Sequence, residues 1–255
     1  YLGSVGITDD KITYVGKNTR FEADTIIDAT NLSVSPGFIN MLSWGYSSLM
    51  EDGRSLSDLK QGVTLEVFGE GVSPGPYVQE GERFSFKDAM EALENSGVST
   101  NIASFLGATT ARMMEVGFEN RPATEKEMEK MKQMVQESME QGAMGIGSSL
   151  IYAPADYAPT QELVELCRVA SKNGGMYISH MRNEDNLLME ALEELITISK
   201  EADIPSQIYH LKASREPNWN LLDTLIQRVE EVRSEGLKIT AALYTYNASS
   251  TGLTG

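Results

Sequence analysis

Two histidines are the residues whose type and spacing first suggest chemistry, and the chain contains no others. His180 ends the short apolar stretch that begins at Met176, and His210 ends the stretch that begins at Gln207. A single histidine after a strand is more often a hydrogen-bonded structural residue. Two imidazoles at equivalent positions in neighbouring strand units can instead bind one metal ion together, which favours metal ligation.

A third protein ligand is needed, because a catalytic zinc-type site has three protein ligands and an open position for water. Glu70 is the best candidate, since it follows the predicted strand 64–68 and lies between Gly69 and Gly71. Glycine allows unusual backbone angles and lets a ligand approach closely. The alternatives are an exposed turn glutamate at position 70 and a supporting role for Glu66 on the same strand.

Short apolar stretches that alternate with amphipathic ones must supply the elements that position these ligands. This alternation is typical of βα units and a parallel sheet, in which the carboxyl ends of the strands meet on one face. The predicted strands are residues 37–42, 64–68, 101–106, 144–148, 176–179, 207–210 and 238–244. The predicted helices are residues 86–95, 124–141, 160–172, 184–201 and 219–234.

The helix 124–141 has the clearest signal, because Thr124 and Glu127 form a Ser/Thr-x-x-Glu capping box. Its methionines recur at helical spacing, which predicts core packing rather than a ligand site. The single cysteine, Cys167, is likewise predicted to be a small buried apolar residue.

The strand pattern fits two architectures, an open doubly wound sheet and a closed eight-stranded barrel that lacks one strand. A dinucleotide-binding sheet would carry Gly-x-Gly-x-x-Gly after its first strand, and that motif is absent. We therefore predict an α/β fold in which residues 36–255 form a (β/α)8 TIM-type barrel, C-terminally truncated and without its eighth strand. Residues 1–35 alternate apolar and polar positions between turns, which predicts part of a small β subdomain.

Composition restricts the partners and the compartment. The formal net charge of -16 argues against nucleic acid, whose binding proteins concentrate Lys and Arg. No apolar stretch reaches the length of a membrane span, and one cysteine cannot form an intrachain disulfide, which together predict no membrane partner and a cytoplasmic location. The expected partner is a small molecule. An incomplete barrel exposes edge strands, so a partner segment, a homo-oligomer or a longer parent chain is also expected.

Several motifs together resemble the N-acyl-D-amino-acid deacylases, the D-aminoacylase family of the amidohydrolase superfamily. They are Ile27-Asp28-Ala29, Pro36-Gly37-Phe38-Ile39-Asn40, Gln61-Gly62-Val63-Thr64, Ser179-His180-Met181-Arg182 and His210-Leu211-Lys212. The resemblance extends over essentially the whole chain, in order. It implies hydrolysis of an N-acyl-D-amino acid to a D-amino acid and a carboxylate at a metal centre.

The resemblance also implies roles for individual residues. Glu70 stands at the family's bridging cysteine, and His180 and His210 match its histidine ligands. Lys212 matches the lysine that contacts the substrate carboxylate. The alternative for Lys212 is a solvated charge at the rim of the site.

Three further residues are candidates for substrate contacts. Tyr244 and Ser250 match family residues that orient the scissile carbonyl and the substrate, and a Tyr hydroxyl can stabilise a developing oxyanion. The alternative for Tyr244 is a packed strand residue. Arg182 could bind an acidic group of the substrate or pair with Glu184.

The sequence departs from the family at two places. Leu42-Ser43-Trp44 replaces the family's His-x-His, which predicts one divalent ion rather than two, with zinc favoured and iron or manganese compatible. The family's general base is an aspartate after the eighth strand, which is expected beyond the C-terminus, so this fragment could be inactive. Asp156 lies after the fourth predicted strand and is interpreted as a loop residue.

Two other functions stay open at this stage. The same metal centre could hydrolyse a cyclic amide or an ester. A barrel with a degenerate metal site could instead bind a small molecule without turnover.

Overall fold

The computed structural model describes residues 2–18, 20 and 22–251. The chain divides into two units, Tyr1–Gly37 and Phe38–Gly255. The first unit contains an antiparallel hairpin of β1 (Ser4–Thr8) and β2 (Lys11–Gly16). The hairpin turns at Asp9, whose positive φ of 53° is a conformation that Asp tolerates better than most residues.

The strands of the second unit alternate with helices, as the sequence predicts. The strands are β3 (Phe38–Asn40), β4 (Val63–Phe68), β5 (Tyr77–Gln79), β6 (Glu82–Phe84), β7 (Asn101–Ser104), β8 (Leu106–Gly107), β9 (Gly145–Ser149), β10 (Met176–His180), β11 (Ser206–Ile208) and β12 (Ile239–Ala241). The helices are α1 (Tyr46–Glu51), α2 (Leu56–Leu59), α3 (Phe86–Ser96), α4 (Ala108–Glu115), α5 (Glu125–Glu140), α6 (Thr160–Lys172), α7 (Leu188–Ala202) and α8 (Leu221–Ser234). The short helices α1, α2 and α4 were not predicted from the sequence pattern.

The strands that carry the candidate site pair in parallel and in chain order. One sheet has the order β3-β4-β7, and the other has the order β8-β9-β10-β11-β12. Phe105 alone separates β7 from β8, and its N–H still donates to the carbonyl of Phe68 at 3.0 Å. Parallel strands joined by helices bring their carboxyl ends to one edge, where His180 and Glu70 lie. The resulting architecture is α/β, as predicted.

Apolar residues of the strands and helices form separate buried clusters. A small cluster contains Val67, Phe105, Ile178 and Tyr209, which lie in the strands or directly beside them. A larger cluster combines strand and helix residues and includes Met131, Met134 and Cys167. The predicted core positions of these methionines and of Cys167 are therefore confirmed.

Helix α5 shows why the sequence signal was strong. Thr124 accepts a hydrogen bond from the N–H of Glu127, and the Glu127 carboxylate accepts one from the N–H of Thr124. This reciprocal capping box satisfies amide groups that the first helical turn leaves without partners. The same device, with Ser85 and Asp88, begins α3.

Several predicted elements are longer than the observed ones. The predicted strand 207–210 ends at Ile208, so His210 lies in a turn with a φ of 33°. The predicted helix 184–201 begins only at Leu188, because the Asn183 side chain accepts the N–H groups of Asp185 and Leu187 and holds a turn. Both corrections move candidate site residues from regular elements into loops.

No helix in the part of the chain that the structure describes is both long enough and apolar enough for a membrane crossing.

Candidate metal centre

Glu70 reaches the centre from a tight loop that follows β4. Gly69 and Gly71 flank it with φ values of 102° and 73°. A Cβ on Gly69 would lie 2.4 Å from the carbonyl oxygen of Phe105, and one on Gly71 would lie 2.8 Å from the Cβ of Ser149. Only glycine fits these positions without a shift of the backbone, so both glycines let the loop place the Glu70 carboxylate inside the site.

The two histidines approach Glu70 from neighbouring strands. His180 is the last residue of β10, and His210 follows β11 by two residues. The Nδ1 atom of His180 lies 3.0 Å from Oε1 of Glu70, and Nε2 of His210 lies 3.3 Å from the same oxygen. The two histidine nitrogens are 3.1 Å apart. Glu70 and His180 are buried, and His210 is half-buried.

These three atoms have the spacing that one ion requires. Tetrahedral zinc with bonds of about 2.0–2.1 Å holds its ligand atoms about 3.3 Å apart. The observed separations are 3.0, 3.3 and 3.1 Å, and the donor set is two imidazoles and one carboxylate. The residues present therefore fit a divalent metal ion, and the structure brings together the three residues predicted as ligands.

A second carboxylate, that of Glu184, contacts both histidines on the side away from Glu70. One of its oxygens lies 3.0 Å from Nδ1 of His210, and the other lies 3.5 Å from Nε2 of His180. From the sequence, Glu184 was predicted only as a possible partner of Arg182. Its position four residues after His180 was the available signal, but the turn that aims it inward was not predictable from that spacing.

The charged groups of this cluster shift one another's pKa values. Burial raises the pKa of Glu70, but hydrogen bonds from His180, His210 and Trp44 outweigh burial and lower it to about 2. Burial lowers the pKa of His210, and contacts with Glu184 and Glu70 outweigh it and raise the pKa to about 9. Without a metal ion, the two carboxylates therefore favour the protonated form of His210.

Lys212 and Tyr244 lie beside the cluster. The Lys212 Nζ atom lies 2.6 Å from Oε2 of Glu184 and 2.9 Å from Nδ1 of His210. The same ammonium lies 5.8 Å from the centre of the Tyr244 ring, which is 6.5 Å from the His210 ring. Burial, followed by the negative charge of Glu184, raises the pKa of Tyr244. Tyr244 is thus not packed inside the core, and Lys212 is not a freely solvated charge.

The remaining candidates lie outside this group. Arg182 donates to the Glu194 carboxylate at 2.9 and 2.8 Å and to the carbonyls of Asp156 and Ala158. The suggested pair between Arg182 and Glu184 is therefore wrong, because the guanidinium points towards α7 and the loop after β9. The Asp156 side chain is exposed in a short 3-10 turn, and Ser250 is exposed outside any helix or strand.

The loop after β3 contributes a contact that the sequence did not predict. Trp44 donates its indole N–H to Oε2 of Glu70 at 2.6 Å. Glu66 does not contact Glu70 but accepts hydrogen bonds from Ser43 and from two other hydroxyls. Glu66 therefore supports Glu70 indirectly, by holding the loop that carries Trp44.

Comparison with known proteins finds relatives that match nearly the whole of this chain. No protein-family model matches the chain. The D-aminoacylase of Alcaligenes xylosoxydans xylosoxydans is 31% identical over 264 residues, which cover 98% of this chain and 54% of that protein. The N-acyl-D-glutamate deacylase of the same organism is 28% identical, with 97% of this chain and 54% of that protein covered. Over nearly its whole length, this chain is therefore similar to N-acyl-D-amino-acid deacylases.

The similarity extends to solved structures of the deacylase family. A crystal structure of D-aminoacylase, described as defining a novel subset of amidohydrolases, has a TM-score of 0.83 at 30% identity. The N-acyl-D-glutamate deacylase of Bordetella bronchiseptica, complexed with zinc and a phosphonate mimic of the tetrahedral intermediate, has a TM-score of 0.85 at 26% identity. Each comparison covers 95% of this chain and 54% of the other. The chain thus spans about half the length of the relatives it matches.

Two other solved structures bear on the fold and on the number of metal ions. D-hydantoinase, at 15% identity and a TM-score of 0.54, shares the fold alone. A D-aminoacylase structure with a TM-score of 0.82 and 30% identity concerns a binuclear centre with one-metal activation and second-metal attenuation. Deacylases related to this chain therefore bind metal, in one case at two positions.

Proposed function

We propose that this chain supplies the metal-binding part of a hydrolase that cleaves the amide bond of N-acyl-D-amino acids and releases a D-amino acid and a carboxylate. The observation that carries the proposal is the convergence of Glu70, His180 and His210 with separations of 3.0–3.3 Å. The relatives named for this activity are similar to the chain over 97–98% of its residues. The substrate is then a small molecule.

We further propose that residues 36–255 belong to a (β/α)8 barrel and residues 1–35 to a small β subdomain. The parallel strands in chain order and the alternating helices support the barrel. A cytoplasmic location and a homo-oligomer stay predictions from the sequence.

The site is proposed to hold one divalent ion, preferably zinc. Two imidazoles and one carboxylate suit zinc, and Leu42 and Trp44 cannot supply the additional ligands of a second position. One-metal activation of a related D-aminoacylase is consistent with a single ion. When bound, such an ion polarises the amide carbonyl and lowers the pKa of a water molecule.

The residues of the chain have distinct parts in the proposed reaction. Glu70, His180 and His210 hold the ion, and the Glu184 carboxylate faces the outer nitrogens of both imidazoles at 3.5 and 3.0 Å, which favours one ring orientation. Lys212 binds the substrate carboxylate after it leaves Glu184.

Tyr244 is placed to donate its hydroxyl to the carbonyl oxygen as negative charge develops there. Ser250 is proposed to orient the substrate. Arg182 could bind an acidic substrate group only by leaving Glu194, and we favour its observed role as a support of the loop after β9.

The test is an assay of the full-length protein loaded with zinc. It should release amine from at least one N-acetyl-D-amino acid, lose that activity with a chelator, and regain it on zinc addition. The Glu70→Ala variant should lose both stoichiometric zinc and activity. A zinc-loaded protein that releases no amine from a panel of N-acyl-D-amino acids would overturn the reaction, and turnover of hydantoins alone would favour a cyclic amidase.

The alternative function, a non-catalytic binding barrel, predicts a different metal content. A degenerate site should purify without stoichiometric metal, whereas the proposed enzyme should contain one ion per chain. Metal analysis of the purified protein separates the two.

A further inference from the structure

The two oxygens of the Glu70 carboxylate have different partners. Oε1 faces the nitrogens of His180 and His210 at 3.0 and 3.3 Å. Oε2 accepts the indole N–H of Trp44 at 2.6 Å. An indole nitrogen is a donor only and offers no lone pair to a cation. One oxygen is therefore free to ligate, and the other is held by a group that cannot ligate.

The position of Trp44 is held by its own loop. Ser43 donates its N–H to the carbonyl of Val67 at 2.9 Å and its hydroxyl to Oε2 of Glu66 at 2.8 Å. The N–H of Gly45 donates to the Ser43 hydroxyl at 3.0 Å. Ser43 thus ties the loop to β4, the strand that leads to Glu70, and Gly45 is held to Ser43.

Glu66 makes this anchor rigid. Its side chain is 2% exposed and accepts from Ser55 at 2.6 Å and from Thr100 at 3.1 Å, in addition to Ser43. A buried carboxylate needs such donors, because an unpaired charge is costly to bury. Loss of the Glu66 hydrogen bonds would release the loop. The contact between Trp44 and Glu70 therefore depends on this buried network.

We propose that Trp44 determines the metal occupancy of the centre by holding Oε2 of Glu70 and restricting the carboxylate to one ligating oxygen. This inference rests on the proposed metal site and deepens it. A carboxylate with both oxygens free can chelate one ion or bridge two. With Oε2 occupied, the three protein ligands and one water molecule make a four-coordinate, single-ion site.

The inference is tested with Co²⁺, whose visible absorption reports its coordination geometry. The full-length protein should bind one Co²⁺ per chain with the intense bands of a four-coordinate ion. The Trp44→Phe variant keeps an aromatic ring but lacks the donor, so Glu70 can chelate and the intense bands should be lost. Trp219→Phe removes the other tryptophan of the chain, which is also exposed, and should leave the spectrum unchanged.

The outcomes separate the two proposals. If the unmodified protein binds no Co²⁺, the metal site fails and this inference fails with it. If the unmodified protein and Trp44→Phe bind Co²⁺ with the same stoichiometry and spectrum, the metal site stands and the role of Trp44 is wrong.

A second measurement does not depend on the folding of a variant. Trp44 is 62% exposed and Trp219 is 64% exposed, so solvent should reach both indole groups. In the zinc-loaded unmodified protein, the indole N–H of Trp44 should still exchange with solvent more slowly than that of Trp219 in ¹⁵N NMR spectra. Equal exchange rates would show that Trp44 does not hold Glu70 when the ion is bound.

Discussion

At the scale of single residues, the two carboxylates of Glu70 and Glu184 lie on opposite sides of both imidazoles. Glu70 faces one nitrogen of each histidine, and Glu184 faces the other. A histidine that ligates a metal through one nitrogen is usually oriented by a partner at the other, and that partner also increases its basicity. The Glu184 carboxylate lies beside both histidines and also forms an ion pair with the Lys212 ammonium.

This arrangement predicts that Glu184→Gln weakens metal binding without removing a ligand. Loss of the outer partner typically costs about 10–100-fold in metal affinity. Competition with a chromogenic chelator measures the change. Glu125→Gln, a matched substitution at an exposed glutamate of α5, should leave the affinity unchanged. An affinity equal to that of the unmodified protein would show that Glu184 does not orient the ligands.

At the scale of elements, the loops at the carboxyl ends of the strands place the functional groups, and the helices hold the strands in place. Arg112 of α4 and Glu162 of α6 form a salt bridge at 2.7 Å with side chains 1% and 3% exposed. Arg112 also donates to the carbonyls of Glu119 and Arg121. This buried pair joins two helices that pack against β8, β9 and β10.

Removal of one member of that pair should be strongly destabilising. Glu162→Ala leaves the Arg112 charge buried without its partner, and we expect a loss of about 3–5 kcal/mol in the free energy of unfolding. Glu193→Ala breaks an ion pair with Arg228 that is partly exposed, and it should cost no more than about 1 kcal/mol. Urea unfolding measures both. Equal effects would mean that burial of the first pair has no special consequence.

At the scale of the whole molecule, the metal-free protein should lose stability as the solution becomes alkaline. The pKa of His210 is raised to about 9 in the folded chain, from an ordinary value of about 6.5. The folded state therefore binds this proton more tightly than the unfolded state does. The stabilisation is complete below about pH 6.5 and is lost as the pH rises through about 9.

The expected loss is about 3 kcal/mol. Urea unfolding with a chelator present, at pH values from 6 to 10, measures it, and His210→Gln should flatten the curve over this interval. The carboxylates act in the opposite direction, since the lowered pKa of Glu70 gives stability that is lost as the pH falls towards about 2. A metal-free protein whose stability rises between pH 7 and 9 would contradict the observed cluster.

Several features of this protein follow from its sequence alone. The alternation of strands and helices, the capping box of α5 and the buried positions of Met131 and Cys167 depend on local spacing and on the hydrophobic effect, which a sequence pattern records. The convergence of Glu70, His180 and His210 also follows, because residues at the carboxyl ends of neighbouring parallel strands meet at one edge.

Only the tertiary structure decided what surrounds those three residues. Trp44 reaches Glu70 across 26 residues of sequence. Glu184 lies in the turn that the Asn183 side chain holds before α7 begins at Leu188, and from that turn it faces the histidines. Arg182, two residues away, turns outward to Glu194. The direction of each side chain depends on loop dihedral angles and on long-range hydrogen bonds, and neither leaves a periodic signal in the sequence.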